Sequence, residues 1–175
     1  LRTWEEHARA LERAARAPRR PYHHGNLRQA LVAATLPLIE AKGPLGFTRA
    51  EAARAAGVSP AAPYRHFKGR DELLAEVARQ GFLIFADDLE RGYGAGGPSA
   101  LAALFETGRA YLDFARGNPG YYQAMFEANV VIACNPDLAH AADRAMAVLI
   151  RAATRLIEAL PPERLRPPLV EPVPL

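Results

Sequence analysis

Between Gly57 and Arg70 the chain reads Gly-Val-Ser-Pro-Ala-Ala-Pro-Tyr-Arg-His-Phe-Lys-Gly-Arg. Hydroxyls (Ser59, Tyr64), an imidazole (His66) and three cations (Arg65, Lys68, Arg70) stand within a dozen positions of one another. No carboxylate or thiol lies among them to act as general base or nucleophile, so the collection suits holding an anion rather than breaking a bond. Catalytic patterns are missing elsewhere too. There is no Ser-His-Asp or Cys-His arrangement, no zinc-ligand cluster and no phosphate loop, and Cys134 and His140 merely sit six residues apart on or near one helix. His23 and His24 are neighbours on an arm with no third ligand nearby, which does not make a metal site. These residues describe a binding protein rather than an enzyme, with no cofactor and no metal.

The elements that must position this run are helical. Ala and Leu dominate over Val and Ile, half of the residues are hydrophobic, and no strand pattern or internal repeat is present. Thr48 with Glu51 three residues on forms a capping box for a short helix, whose Ala52, Ala53 and Ala56 are small enough for close packing. Gly57 ends that helix, Val58 lies in the turn, and Ser59 followed by Pro60 is expected to cap and open a third helix. Helix, glycine-containing turn, helix is a helix-turn-helix pattern. The second helix of such a unit presents its first turn to the DNA major groove. Ser59, Pro60, Ala61 and Ala62 form that leading turn, where small side chains let the backbone approach bases. Tyr64, Arg65 and His66 follow one turn later, within reach of phosphates or a base edge. Lys68 and Arg70 add charge to the start of a fourth helix as a phosphate seat, and Phe67 turns inward as an anchor. An ordinary helical bundle could use Tyr64, His66 and Phe67 as core. The two capped helices and the glycine turn directly upstream favour the DNA reading.

The other elements follow from caps and breakers. Thr3 to Glu6 has capping-box spacing ahead of Trp4, Ala8, Leu11 and Ala15, so a short amphipathic helix is expected before Pro18. Asn26 and Gln29 open a helix carrying Leu27, Leu31, Ala34 and Leu38 that stops at Gly43-Pro44, with a kink expected near Ala33 because Pro37 removes a backbone bond. A long helix is read from Asp71 to about Leu89 and a loop over Gly92–Pro98. Further helices are read from Ser99 to about Arg116, from Pro119, and from Asn135-Pro136 to Leu160. The last fifteen residues hold six prolines and read as a tail. Cys134 is expected as a buried small hydrophobe, and a single cysteine fits a reducing compartment. With no signal segment and no apolar run near eighteen residues, the chain reads as cytoplasmic with no membrane partner.

Charge divides the chain. Residues 1–20 hold six Arg against three Glu, residues 21–81 hold eight Lys and Arg against five Asp and Glu, and residues 82–175 hold eight against eleven. The basic excess lies toward the N-terminus, as expected of a nucleic-acid end joined to a different end. Three regions are read: a basic extension over 1–20, a DNA-binding domain over 21–81 and a helical domain over 82–175. Arg19 and Arg20 on the arm 18-PRRPYHH-24 are candidates for a minor groove, with a solvated linker as the alternative. Phe105, Tyr111, Phe114, Tyr122, Met125 and Phe126 gather aromatic and soft side chains on two helices and are candidate linings of a small-molecule pocket, with simple core packing as the alternative.

Residues 25–85 resemble the DNA-binding domain of the TetR family of bacterial transcriptional regulators. The resemblance rests on 47-FTRAEAARAAGVSPAAPYRHFKGRDELL-74, with support from 22-YHHGNLRQALVAA-34, and 118-NPGYYQAMFEA-128 resembles the sixth helix of some members. It implies an all-α homodimer. A three-helix helix-turn-helix domain is joined by a long fourth helix to a ligand-binding and dimerisation domain. It further implies a double-stranded, palindromic DNA operator as partner and a small-molecule effector that releases it, hence a repressor. By position, Thr48 would cap the second helix and touch phosphate, Arg49 a base edge or backbone, and Ser59, Ala61 and Ala62 bases or backbone. Tyr64 and His66 would bind phosphate. Arg70 stands where the family usually has Lys, with Lys68 as a second candidate, and Pro37 departs from the pattern. The family usually ends in two further helices that pair with a partner subunit, and 161-PPERLRPPLVEPVPL-175 does not read as such. The sequence is truncated or spliced, the dimer forms through the 136–160 helix with its Ala face, or the chain does not dimerise as its relatives do. A helical interaction module that has lost operator binding is the competing reading.

Overall fold

In a computed structural model of the chain, the described residues are 27–161, and they form α-helices joined by short turns. The helix expected in the first fifteen residues, the Asn26 cap, the arm bearing Arg19 and Arg20, and the proline-rich tail lie outside them.

Helix α1, Leu27–Lys42, buries Leu31, Val32, Thr35 and Ile39, a stripe at helical spacing. It continues through Pro37 to Lys42. Pro37 itself faces solvent, and the buried Thr35 hydroxyl donates to the Leu31 carbonyl at 2.7 Å. Helix α2, Arg49–Ala55, starts from the capping box read in the sequence. The Thr48 side chain accepts from the Glu51 amide, and the Glu51 carboxylate accepts from the Thr48 amide. Ala52 and Ala53 are fully buried, which only small residues allow this close to a neighbouring helix. Gly57, at φ +70°, turns the chain in the left-handed region that a side chain would strain.

The element after that turn differs from expectation. The Ser59 side chain caps nothing. The backbone turns through Pro60 and Ala61 into a four-residue 3-10 helix, Ala62–Arg65. Two prolines explain the difference. Pro63 has no amide to donate to the Ser59 carbonyl, which an α-helix would require, so that carbonyl instead takes the Ala62 amide at 2.9 Å. The last turn tightens around the Pro63 carbonyl, which accepts from both His66 (3.0 Å) and Phe67 (2.8 Å).

Helix α3, Arg70–Ala95, runs 26 residues and passes straight through Gly92 and Gly94, where a loop was expected. Helix α4 (Ala100–Gly117) begins at a Ser99 cap. Helix α5 (Pro119–Phe126) follows Asn118, and helix α6 (Pro136–Ala159) begins at Asn135, whose side-chain oxygen accepts from the Leu138 amide at 3.1 Å. Gly92 has a packing reason to stand inside α3: a methyl there would lie 2.6 Å from the Glu106 carbonyl oxygen and 2.9 Å from the Ala110 Cβ of α4. Its absence lets α3 and α4 cross closely. Cys134, expected inside, is exposed in the turn before α6. The apolar residues that count as core here are on the helices it connects.

One core runs the length of α3. Phe67, Leu73, Leu74 and Val77 meet Leu31, Val32, Ile39 and Phe47 at one end. Phe82, Phe85, Ala86 and Leu89 meet Phe114, Met125, Leu138, Ala141, Ala145 and Val148 at the other. Glu76 sits on this buried face with its side chain only 7% exposed. Burial alone would raise its pKa, but hydrogen bonds from Arg79, Gln80 and Arg28 outweigh it and hold the carboxyl at about 2. Arg144 pairs with Asp87 at 2.5 Å, Arg151 pairs with Glu90, and Arg155 donates to the Gly97 and Pro98 carbonyls, fastening α6 along α3 and the turn after it.

Two outcomes test this packing. A carboxyl whose folded pKa lies below its unfolded value contributes stability above the unfolded pKa and loses it as pH falls through the folded one. Glu76 therefore supports the fold above about pH 4.5 and ceases to between there and about pH 2. Glu76→Gln is expected to destabilise at neutral pH by roughly 1–3 kcal/mol and to flatten that acid limb, read by urea melts from about pH 2 to 7. In α3, Gly94→Ala enters open space and is expected to stabilise by about 0.5–1 kcal/mol, whereas Gly92→Ala meets the Glu106 carbonyl and is expected to cost about 1–3 kcal/mol despite its better helix propensity. Thermal melts that rank the two the other way would contradict the close crossing of α3 and α4.

Candidate nucleic-acid interface

The segment Ser59–Lys68 is set on the surface by two buried residues. Phe67 is 1% exposed within the core, and Pro63 is buried beneath the 3-10 turn. Between and before them the side chains face outward. Ser59, Pro60 and Ala61 are exposed, Arg65 and Lys68 are exposed, His66 is half-buried, and Tyr64 is 61% exposed. An aromatic ring this open, beside cations, is not serving the interior. Gly57, Val58, Ser59, Ala61 and Ala62, with Arg65 and His66, also line a cleft of about 400 Å3 that runs to Leu27 at the start of α1.

The sequence grouped Arg49 and Arg70 with these outward residues, and the structure gives both inward tasks. Arg49 donates to the carbonyls of Phe67 (3.2 Å) and Lys68 (2.8 Å), and its guanidinium lies 4.1 Å from the centre of the Tyr64 ring. It clamps the Ser59–Lys68 segment onto α2. Arg70 donates to the Leu45 carbonyl at 2.8 Å and ties the start of α3 to the turn between α1 and α2. Lys68 fixes the same junction through its backbone, its amide donating to Glu72 at 2.6 Å, which leaves its side chain on the surface. Thr48 is exposed, but its hydroxyl also lies 2.9 Å from Glu51. A hydrogen bond from Lys42, then those from the Thr48 amide and hydroxyl, hold the Glu51 carboxyl down at about 2, so this cap stays anionic.

Residue types alone did not bring out Arg28 and Glu76. Arg28, in the first turn of α1, pairs with Glu76 at 3.0 Å and stacks 4.7 Å from the centre of the Phe67 ring. The available signal was a carboxylate embedded in Leu-Leu-Ala-Glu-Val-Ala, on the face of α3 that has to be buried.

In the second half, four of the six candidate pocket residues, Tyr111, Phe114, Tyr122 and Phe126, gather around Phe82 and Phe85. Tyr111 and Phe114 pack on Phe85, with ring centres 5.0 and 4.8 Å away, while Tyr122 and Phe126 pack together at 4.8 Å and Phe126 meets Phe82 at 5.7 Å. Met125 is buried, and Phe105 points to solvent at 67% exposure. Burial, then the neighbouring Tyr122, pushes the Tyr111 phenol up. Two further surface grooves are present, of which the one between α3 and α4 touches this cluster, at Phe114. One of about 380 Å3 between α3 and α4 is lined by ion-paired Asp88, Arg91, Glu106, Arg109 and Asp113. The other, about 420 Å3, lies where Leu45, Arg70 and Ala75 face Ala128, Val130 and Val131. Among the described residues no group of three His, Cys, Asp or Glu is placed to hold a metal, and no helix is long and apolar enough to cross a membrane.

Comparisons with known proteins agree with this arrangement. Residues 31–77 match the family model for bacterial regulatory proteins of the tetR family, and residues 104–169 match the tetracyclin repressor-like C-terminal domain. An uncharacterized HTH-type transcriptional regulator of Bacillus subtilis strain 168, YobS, is 31% identical over 105 residues, which are 57% of this chain and 51% of YobS. The chain thus spans about half the length of that curated relative. A structure of a protein with unknown function from Rhodococcus sp. RHA1 has a TM-score of 0.67 at 32% identity, covering 81% of this chain and 73% of that one. The TetR family transcriptional regulator PfmR from Thermus thermophilus shares the fold, with a TM-score of 0.62 at 20% identity over 74% of this chain and 71% of PfmR. That family consists of DNA-binding regulators rather than enzymes. With an N-terminal and a C-terminal domain both matched and an all-helical fold, the chain belongs to the TetR family of bacterial transcriptional regulators.

Proposed function

We propose that this chain is a transcriptional repressor that binds a palindromic duplex as a homodimer and is released by a small apolar effector. The observation that carries the reading is the outward presentation of Ser59–His66: an open leading turn of small residues, followed by the exposed Tyr64 and Arg65 and the half-buried His66. Ser59, Pro60, Ala61 and Ala62 bring backbone close to base edges, with the alanine methyls suited to thymine. Tyr64, Arg65, His66 and Lys68 reach phosphates, and Thr48 adds a hydroxyl at the start of α2. Arg49 and Arg70 act mainly by holding the segment that makes the contacts.

The homodimer is supported by apolar residues left on the surface. On α6, Met146, Ile150 and Ile157 are 54, 58 and 52% exposed and recur every three to four or seven residues with Ala153. On α4, Leu101, Phe105 and Leu112 do the same at 65, 67 and 52%. Stripes at this spacing match a helical partner. An effector site in the second half is supported by the groove between α3 and α4, which reaches the aromatic cluster at Phe114, and by Gln123 of α5, whose buried amide oxygen has no hydrogen-bond partner among the described residues.

Selecting duplexes from a random-sequence pool with the intact chain tests the reading directly. Recovery of an inverted repeat is the expected result, and recovery of no preferred sequence overturns it in favour of an interaction module. On the recovered duplex, Arg65→Ala and Lys68→Ala are each expected to lower affinity severalfold and to reduce the slope of log affinity against log salt by about 0.9, as for one lost phosphate contact. Ile150→Glu is expected to shift the mass measured by light scattering from two chains toward one and to weaken binding to the full repeat more than to a half-site.

A further inference from the structure

We propose that Arg28 is a positioning residue for DNA binding, through which α3 sets the pose of the recognition segment, Ser59–Lys68, without Arg28 itself touching DNA. The proposal rests on the DNA-binding reading above and adds how the segment is held.

The segment cannot hold itself. Its helical part is four residues of 3-10 helix, Pro60 before it and Pro63 within it lack amides, and its internal bonds gather on the Ser59, Ala61 and Pro63 carbonyls. External contacts must therefore fix where Tyr64 and His66 point. Arg49 supplies one from α2. Arg28 supplies the other and, of the two arginines, is the one that reaches α3, adding a side-chain tie to that of the Lys68 amide on Glu72: one nitrogen lies 3.0 Å from Glu76, another 3.5 Å from the His66 carbonyl oxygen, and the guanidinium stacks on Phe67. Each contact uses a different part of the same plane, a task suited to arginine and not to the point charge of lysine.

Glu76 is a fixed anchor rather than a mobile partner. Its two oxygens take hydrogen bonds from Arg79 at 3.0 and 2.7 Å and from Gln80 at 2.8 Å, all within α3. A shift or rotation of α3 therefore carries this carboxylate, and with it Arg28 and the His66–Phe67 backbone. The same helix packs Phe82, Phe85 and Leu89 into the second half, so a change in that packing has a covalent and electrostatic route to the recognition segment. Arg28 is 46% exposed, and a direct phosphate contact is the rival explanation for any loss of affinity on its removal.

Binding of the intact chain to a labelled duplex, recovered by the wild-type protein from a random pool, separates these cases. Arg28→Gln, Arg28→Lys, Glu76→Gln and the double variant Arg28→Gln with Glu76→Gln are measured across salt, at a temperature where melts show each folded. Arg28→Gln and Glu76→Gln are each expected to weaken binding about tenfold. The double variant should be no weaker than the worse single, and Arg28→Lys should fail to restore full affinity. The salt slope should stay at the wild-type value. Amide exchange at His66 and Phe67 should quicken in both single variants while α6 keeps its protection, which general destabilisation would not produce. The proposal is overturned if Glu76→Gln binds as tightly as wild type, if the two losses multiply, if the slope of Arg28→Gln falls by about 0.9, or if Arg28→Lys binds like wild type. Recovery of no duplex by the wild-type chain instead overturns the DNA-binding reading, and this inference with it.

Discussion

Burial of one face of α3 along nearly its whole length is the constraint on which the rest of this molecule depends. From Leu73 to Leu89 the helix supplies core to α1 and the α1–α2 turn at one end and to α4, α5 and α6 at the other. The buried residues of the two halves join along this helix into one continuous core. The hydrophobic contribution scales with the area removed from water, and a shared helix removes it for both halves at once. Glycine at position 92 and small residues at Ala78 and Ala86 let neighbouring helices approach closely enough for this.

A shared helix also determines what charged residues can do. Glu76 lies on the buried face and is tolerable there only because three donors surround it, one of them from α1. Arginines then divide into two groups by what lies within reach. Arg28, Arg49 and Arg70 spend their guanidinium groups on backbone carbonyls, aromatic rings and Glu76, while Arg65, between the buried Pro63 and Phe67, extends into solvent. The family to which the chain belongs uses this part of the fold to meet DNA. Here the side chains that face outward and those that hold them in place are chemically alike and separated only by position.

Much of the first domain was legible in the residues. The capping box of Thr48 and Glu51, the glycine at φ +70° and the inward Phe67 are local features whose causes lie within a few positions, and all three stand as read. Local rules failed where a longer-range contact or a missing amide decided. Gly92 and Gly94 looked like loop, yet α3 continues through them because α4 needs the space at Gly92. Ser59 and Pro60 looked like the start of an α-helix, yet Pro63 three residues on withholds the amide that would have continued it. Cys134 looked like core by type, and its turn carries it to the surface.

By itself, the sequence determined the helical class, the order of the elements, the helix-turn-helix and the run of residues fit to meet an anion. Each of these follows from propensity, capping and spacing along the chain, which act over a turn or two. Only the tertiary structure decided which arginines point outward, which aromatic side chains are packed and which exposed, and that Arg28 and Glu76 meet. Those outcomes depend on groups tens of residues apart being brought within about 3 Å, and no local pattern encodes that distance.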